Sequence, residues 1–422
     1  MPDVQPLPEL APADQMSLRR SNLSTVLRSL RDHGPRSRAR LAVDLGLNKA
    51  TVSSLVTELA ERGLVRQGEV ERGGLGRPGL AVELDGRTVC GVGAEVNVHH
   101  VATFALNLTG GLVSERRLSL DTLRLDAGEV LDRLVDLIKL TFSDIADRGA
   151  RPVALTVGVA GLVDAARAVV TLGPNLGWYD VPVAAMLQER LGDSSCPVVI
   201  DNEANLAAIA EAVPGDAQLR DILVIFGEAG VGGGIITDGQ LLRGSRGYAG
   251  EFGHMIVDPH GRECGCGRIG CWETVIGLRA LLDAAADQDD AIRDPALGLE
   301  GRLLEINRRA DLGDTRTLAA LEQVGNWIGV GVAALANALN PSVVVLSGYY
   351  AEVGQWMRGA IEARLHAGVL APEAGGTRVE FSTLGFTAAV RGGATVALET
   401  VFNDPARVQR RTGPNATDGG TP

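Results

Sequence analysis

Aromatic residues are scarce in this 422-residue chain: Phe, Trp and Tyr together make up 4%, against 45% for all hydrophobic types. Any core must therefore be mainly aliphatic. No apolar run reaches the ~18 residues that a membrane-spanning helix needs. The first fifteen residues hold four prolines and lack both the basic and the apolar region of a signal peptide. These absences predict a cytoplasmic protein with no membrane partner. Cysteine is also sparse and odd in number: of five, Cys264, Cys266 and Cys271 fall within eight positions, while Cys90 and Cys196 lie far off. One tight cluster and an odd total point to a metal and away from a disulfide framework. Basic charge is in deficit, for a net of -12, yet residues 16–88 carry 13 Lys/Arg against 8 Asp/Glu. An acidic protein with one basic segment makes nucleic acid a candidate partner for that segment alone.

The length predicts two or three domains. Residues 1–15 read as a disordered arm. Leu23, Val26, Leu27 and Leu30 then recur at helical spacing until Gly34-Pro35, and Arg38–Leu45 gives a second short helix closed by Gly46. Asn48 is a credible N-cap for a third helix, Lys49–Arg62, with Val52, Leu55, Val56 and Leu59 as its apolar stripe and Gly63 as its stop. Two short helices joined by a tight glycine turn form a helix-turn-helix. Leu64-Val65 and Leu80–Leu84 read as strands around an arginine- and glycine-rich wing, so residues 16–88 are predicted to be a winged helix. Arg38, Asn48, Lys49, Thr51, Ser53 and Ser54 are the expected major-groove and backbone contacts, and Arg77 in the wing is placed to probe a minor groove.

Beyond Thr88, apolar strands alternate with helices, an α/β pattern. Val89–Val96, Val101–Leu108, Pro152–Val159, Pro197–Ile200, Ile222–Phe226, Gly232–Thr237, Ser342–Ser347 and Arg378–Phe381 are predicted strands. Glu129–Arg148, Glu203–Val213 and Thr315–Asn340 are predicted helices. A hairpin-then-helix start, repeated after Arg220, implies two related lobes around a cleft: residues 89–200 with 385–402, and residues 201–384. Residues 403–422 read as a disordered tail.

Three motifs fall where such a cleft would lie. Asp201-Asn202-Glu203-Ala204-Asn205 follows a buried strand, where α/β sheets bind ligands, although Asn202 could simply cap the next helix. Gly227–Gly234 is a glycine-rich turn, either a phosphate cradle or a tight hairpin. Finally, His254, Cys264, Cys266 and Cys271 offer one imidazole and three thiolates, a set suited to one tetrahedral zinc per chain, with His260 as the alternative imidazole. Four protein ligands leave no open position, so the zinc is structural. Glu251 and Glu273 lie within three residues of these ligands and could accept hydrogen bonds from hydroxyls.

Ala249–His254, the following Cys-x-Cys-Gly and Gly-Cys-x-Glu, Gly227–Gly234, Asn202–Asn205, Gly173–Trp178 and Val157–Gly161 together resemble the ROK family of repressors and sugar kinases. The resemblance covers residues 16–400, and the front resembles the repressor branch. It implies an actin-like, RNase H-like two-lobed fold with sugar in the cleft, contacted by Asn175, Asn202, Glu251, His254 and Glu273. The kinase pattern is broken elsewhere. Glu95-Val96-Asn97-Val98-His99 stands where such kinases have Asp-x-Gly-Gly-Thr, Glu228-Ala229-Gly230 stands for Gly-Thr-Gly, and Glu203 occupies the position of the aspartate base. The expectation is a sugar-responsive repressor, dimeric or tetrameric on operator DNA, without catalysis.

Overall fold

The computed structural model describes residues 15–70, 80–192, 196–212, 219–294, 297–370 and 376–411. Two units divide the chain: Met1–Val89, Asn107–Gly111 and Leu398–Pro422 form the first, Cys90–Leu106 and Leu112–Ala397 the second.

In the first unit, helices Gln15–His33, Arg38–Asp44 and Lys49–Glu61 form where the apolar spacing places them, with Ser37 and Asn48 as side-chain caps of the second and third. The Thr51 N–H donates to Asn48 Oδ1 at 2.8 Å. Leu23, Val26, Leu27 and Leu30 on one helix and Val52, Leu55, Val56 and Leu59 on another are all buried. Strand Leu80–Leu84 lies between Arg36–Ser37 and Val65–Val70, paired antiparallel with both. This is a winged helix-turn-helix. The wing residues between the two longer strands, Arg77 among them, lie outside the described residues.

The expectation of a disordered tail from Asn403 needs correction. Helix Ala388–Asn403 ends there, and one 3-10 turn, Pro405–Arg407, follows. The Arg62 guanidinium donates to the carbonyls of Ala406 (2.9 Å) and Val408 (2.6 Å). Arg410 pairs with Glu61 at 2.9 Å, and the Arg411 N–H bonds to the Glu61 carbonyl. Glu399 pairs with both Arg28 and Arg31, at 2.7 and 2.5 Å. A composition of Gly, Pro, Arg and Thr looks disordered because its partners are distant in sequence. The first helix likewise begins at Gln15, inside the expected arm; residues 1–14 and 412–422 lie outside the described residues.

The second unit holds two five-stranded sheets with one topology. The first runs, in spatial order, Val198–Asn202, Arg151–Val159, Val89–Val96, His100–Asn107, Leu112–Ser119. The second runs Arg378–Phe381, Val343–Gly348, Ile222–Gly227, Val231–Thr237, Gln240–Leu241. Numbered by sequence, both read 5-4-1-2-3, so the repeated hairpin seen in the sequence is a repeated fold. Strand Leu112–Ser119 escapes sequence reading because it lies at an edge, its outer face charged by Glu115 and Arg117. A third, antiparallel sheet of Leu162–Asp164, Val169–Gly173 and Trp178–Val181 was also not expected.

Helix Thr315–Leu339 is long and apolar enough to cross a membrane by length and composition. Its Leu321, Val324, Ile328 and Val332 are nonetheless buried in the largest core, with Trp272, Tyr349 and Met357. Apolar length here reflects burial inside a globular unit. Helix Glu203–Glu211 is packed still more tightly. A Cβ on Gly392 would lie 1.8 Å from the Leu206 carbonyl oxygen and 2.5 Å from its carbon, so only glycine allows the C-terminal helix this approach.

Gly392→Ala should therefore cost about 3 kcal/mol or more in denaturant-monitored unfolding, since backbone must shift to admit the methyl. Gly359→Ala, in helix Tyr349–Gly368 with nothing within 4 Å of the new methyl, should stabilise by ~0.5–1 kcal/mol.

Candidate functional site

Strand Val198–Asn202 turns directly into helix Glu203–Glu211, presenting Asn202 and Glu203 at the sheet's carboxyl edge. Asn202 serves two ends. Its Oδ1 accepts from the N–H groups of Ala204 (2.8 Å) and Asn205 (3.2 Å), and its Nδ2 donates to the Gly161 carbonyl at 2.9 Å. It is the helix cap, and it also lines a cavity of about 390 Å³, within the ~300–1,000 Å³ range of small-molecule sites. Asp201 is buried and committed to structure: Arg243 holds both its oxygens, at 3.0 and 2.6 Å.

The same cavity is lined by Asn175, Glu251, His254 and Glu273. Asn175 comes from the turn between two strands of the third sheet. Glu251 precedes and His254 ends a single 3-10 turn, and Glu273 opens helix Glu273–Ile276. The Val231 N–H donates to Glu273 Oε2 at 2.8 Å, which fixes that carboxylate. Gly230 makes room for it: a Cβ there would meet Glu273 Oε2 at 2.8 Å and Asn175 Nδ2 at 2.9 Å. The Gly227–Gly234 segment is thus a tight hairpin, Gly227 paired with Val231. Burial pushes the Glu251 carboxyl up from its ordinary range; His254 opposes that rise and Glu273 adds to it. Glu203 is pushed up to about 8, by enclosure and then by the Glu95 charge, against a bond from Asn97. Leu172, Tyr248 and Arg268 also line the cavity. Sequence reading missed them, because none sits in a motif and only the fold brings them there.

One sulfur from each of Cys264, Cys266 and Cys271 and one ring nitrogen of His254 all lie within 4.8 Å of one another. Cys264 Sγ is 3.7 Å from His254 Nδ1, and Cys266 Sγ is 3.7 Å from Cys271 Sγ. All three cysteines are free. A tetrahedral ion with metal–sulfur bonds of ~2.3 Å sets S···S at ~3.8 Å, so the donors fit one metal ion. His260 is exposed and outside this cluster, its N–H bonded to Asp258. The imidazole left open by spacing is therefore that of His254.

In the other unit, Asn48, Lys49 and Ser54 are exposed on the third helix, with Thr51 and Ser53 half-buried beside them and Arg38 half-buried on the second. Asn48 Oδ1 is used as the cap, and Ser54 Oγ accepts from Arg19 at 3.2 Å. Buried Glu58 locks the helix from behind through Arg19 Nε (2.7 Å) and Arg62 (2.8 Å).

The ROK family matches residues 92–400, and the IclR helix-turn-helix domain matches residues 21–69. The xylose repressor of Bacillus subtilis is 30% identical over 362 residues, 84% of this chain and 90% of that protein. Among solved structures, a ROK family transcriptional regulator homologous to the E. coli MLC protein superposes with a TM-score of 0.75 at 21% identity, covering 92% of this chain and 97% of its own. A ROK family glucokinase from Streptomyces griseus, solved with glucose and AMPPNP, gives 0.62 at 29% identity, over 74% and 99%. The match takes in strands of both five-stranded sheets and the Cys/His loop, and it places this chain in the ROK family, with an IclR-type helix-turn-helix domain at its front.

Proposed function

We propose that this chain is a transcriptional repressor that binds operator DNA through its winged helix and responds to a monosaccharide held by Asn175, Asn202, Glu251, His254 and Glu273. The observation that carries the reading is the convergence of these five polar side chains on one cavity, in a chain similar along most of its length to a xylose repressor. The carboxylates of Glu251 and Glu273 only accept, while the two asparagines donate and accept, a set matched to sugar hydroxyls. Two heads on a two-fold dimer would match a palindromic operator. Sugar changes DNA affinity only through its preference for one conformation. A swing from 1:99 to 99:1 needs about 5.5 kcal/mol, which two to four hydroxyl bonds to charged groups at about 1.5–3 kcal/mol each can supply.

The metal of the Cys/His cluster is zinc in this reading, one per chain. Zinc would cross-link the loop, and residues His254 and Glu273 would be held at the cavity by their position in or beside it. Phosphoryl transfer is absent from the reading. Glu95, Glu203 and Glu228 crowd the place that nucleotide phosphates would need, with Asn97 Nδ2 donating to Glu203 (3.1 Å) and to Glu228. The glucokinase relatives favour a second reading, a kinase with a DNA-binding head, and ATP consumption on adding a hexose would establish it.

The primary test is operator retention in a gel-shift assay across a panel of monosaccharides, with sugar binding followed by calorimetry. Glu251→Ala should weaken sugar binding roughly 10–100-fold and remove the response while operator binding without sugar is kept. Arg77→Ala should weaken operator binding, lower its salt slope by about one, and leave sugar affinity unchanged. Cys266→Ser should purify with no zinc by elemental analysis and unfold at a lower temperature than wild type.

A further inference from the structure

Behind the cavity lies a buried group of side chains that sugar binding does not use. Glu95 and His100 come from the first sheet and Glu228 from the tip of the hairpin in the second; their relative exposures are 0%, 2% and 2%. One oxygen from each glutamate and one ring nitrogen of His100 all lie within 4.8 Å of one another. His100 Nε2 stands 3.6 Å from Glu95 Oε2. Neither oxygen of Glu95, nor Glu228 Oε1, nor His100 Nε2 has a hydrogen-bond partner among the described residues. Glu203 lies alongside, joined to Glu228 through the amide of Asn97.

Unpaired carboxylates are costly in so enclosed a place and need a proton or a cation. Arg117 reaches the group through Nη2, 3.4 Å from His100 Nδ1, but also pairs with Glu300 at 2.7 Å. One shared guanidinium does not balance three carboxylates.

We propose that Glu95, His100 and Glu228 form a second metal site, for a divalent ion that takes carboxylate oxygen and imidazole nitrogen together. Such donors suit Mn²⁺ or similar ions, whereas the thiolates of the Cys/His cluster select softer ones, so the two sites sort different metals. Ligation through His100 Nε2 requires the ring proton on Nδ1, so Arg117 must turn from the ring and keep Glu300. The ion joins the first sheet to the hairpin of the second, directly beneath Glu203 on the cavity wall. A position where phosphate would be repelled becomes a cationic clamp.

The test uses full-length protein already loaded with zinc, titrated with MnCl₂ while free Mn²⁺ is counted by electron paramagnetic resonance. Wild type should bind one Mn²⁺ per chain. Glu95→Gln, Glu228→Gln and His100→Gln should each weaken binding at least tenfold. Pulsed spectra of the bound ion should show coupling to one imidazole nitrogen, a readout on wild type that stands even where a variant fails to fold. Wild type that binds no Mn²⁺, glutamine variants that bind it as well as wild type, or bound Mn²⁺ without nitrogen coupling would each overturn the site.

Discussion

Backbone meets backbone where Leu206 passes Gly392, and this contact seats helix Glu203–Glu211 directly against the C-terminal helix. The N-terminus of that short helix carries Asn202, which caps it, and Glu203, which faces the cavity. Because the helix also packs on strands of both sheets, its position couples the two halves of the unit. Any movement of one sheet against the other must either carry the helix along or break its packing. Interiors of this density switch between discrete arrangements and resist gradual deformation.

Carboxylates outnumber cations in the cleft, where Arg268 also lines the cavity. Glu203, Glu251 and Glu273 face the cavity, and Glu95 and Glu228 lie behind it. Burial raises the Glu251 carboxyl, and Glu203 and Glu228 are likewise pushed up by burial together with the Glu95 charge. A ligand rich in hydroxyl donors relieves this desolvation, whereas a ligand carrying phosphate adds to it. The carboxylates gathered here contribute to the chain's net negative charge, while the basic residues of the head face the opposite task.

Much of this was legible in the sequence because local rules and tertiary demands agree. The cap at Asn48, the buried strands and the long helix obey periodicity and capping rules that act over a few residues. The Cys/His spacing was legible because metal ligands must be near one another in space, and a short loop achieves that directly. Strand Leu112–Ser119 and the third sheet were not legible. Strand Leu112–Ser119 is charged and largely exposed, and the third-sheet strands are three to five residues long, too short to show the alternation that marks a half-buried strand. Tyr248 and Arg268 were hidden for a different reason: their role depends on where the chain folds back. Asn202 was legible in both its possible roles, and the structure shows that capping and cavity lining coexist.

The ordered turn after Asn403 sets an order of events during synthesis. The winged helix precedes the two-sheet body in the sequence, yet Glu399, the carbonyls of Ala406 and Val408, and Arg410 complete its packing from beyond that body. While the chain is still emerging from a ribosome, Arg28 and Arg31 lack Glu399, and Arg62 holds Glu58 without the carbonyls of Ala406 and Val408. The head is finished only once residues 399–411 have been made, so a newly made molecule completes its winged helix after the body that lies between has been translated.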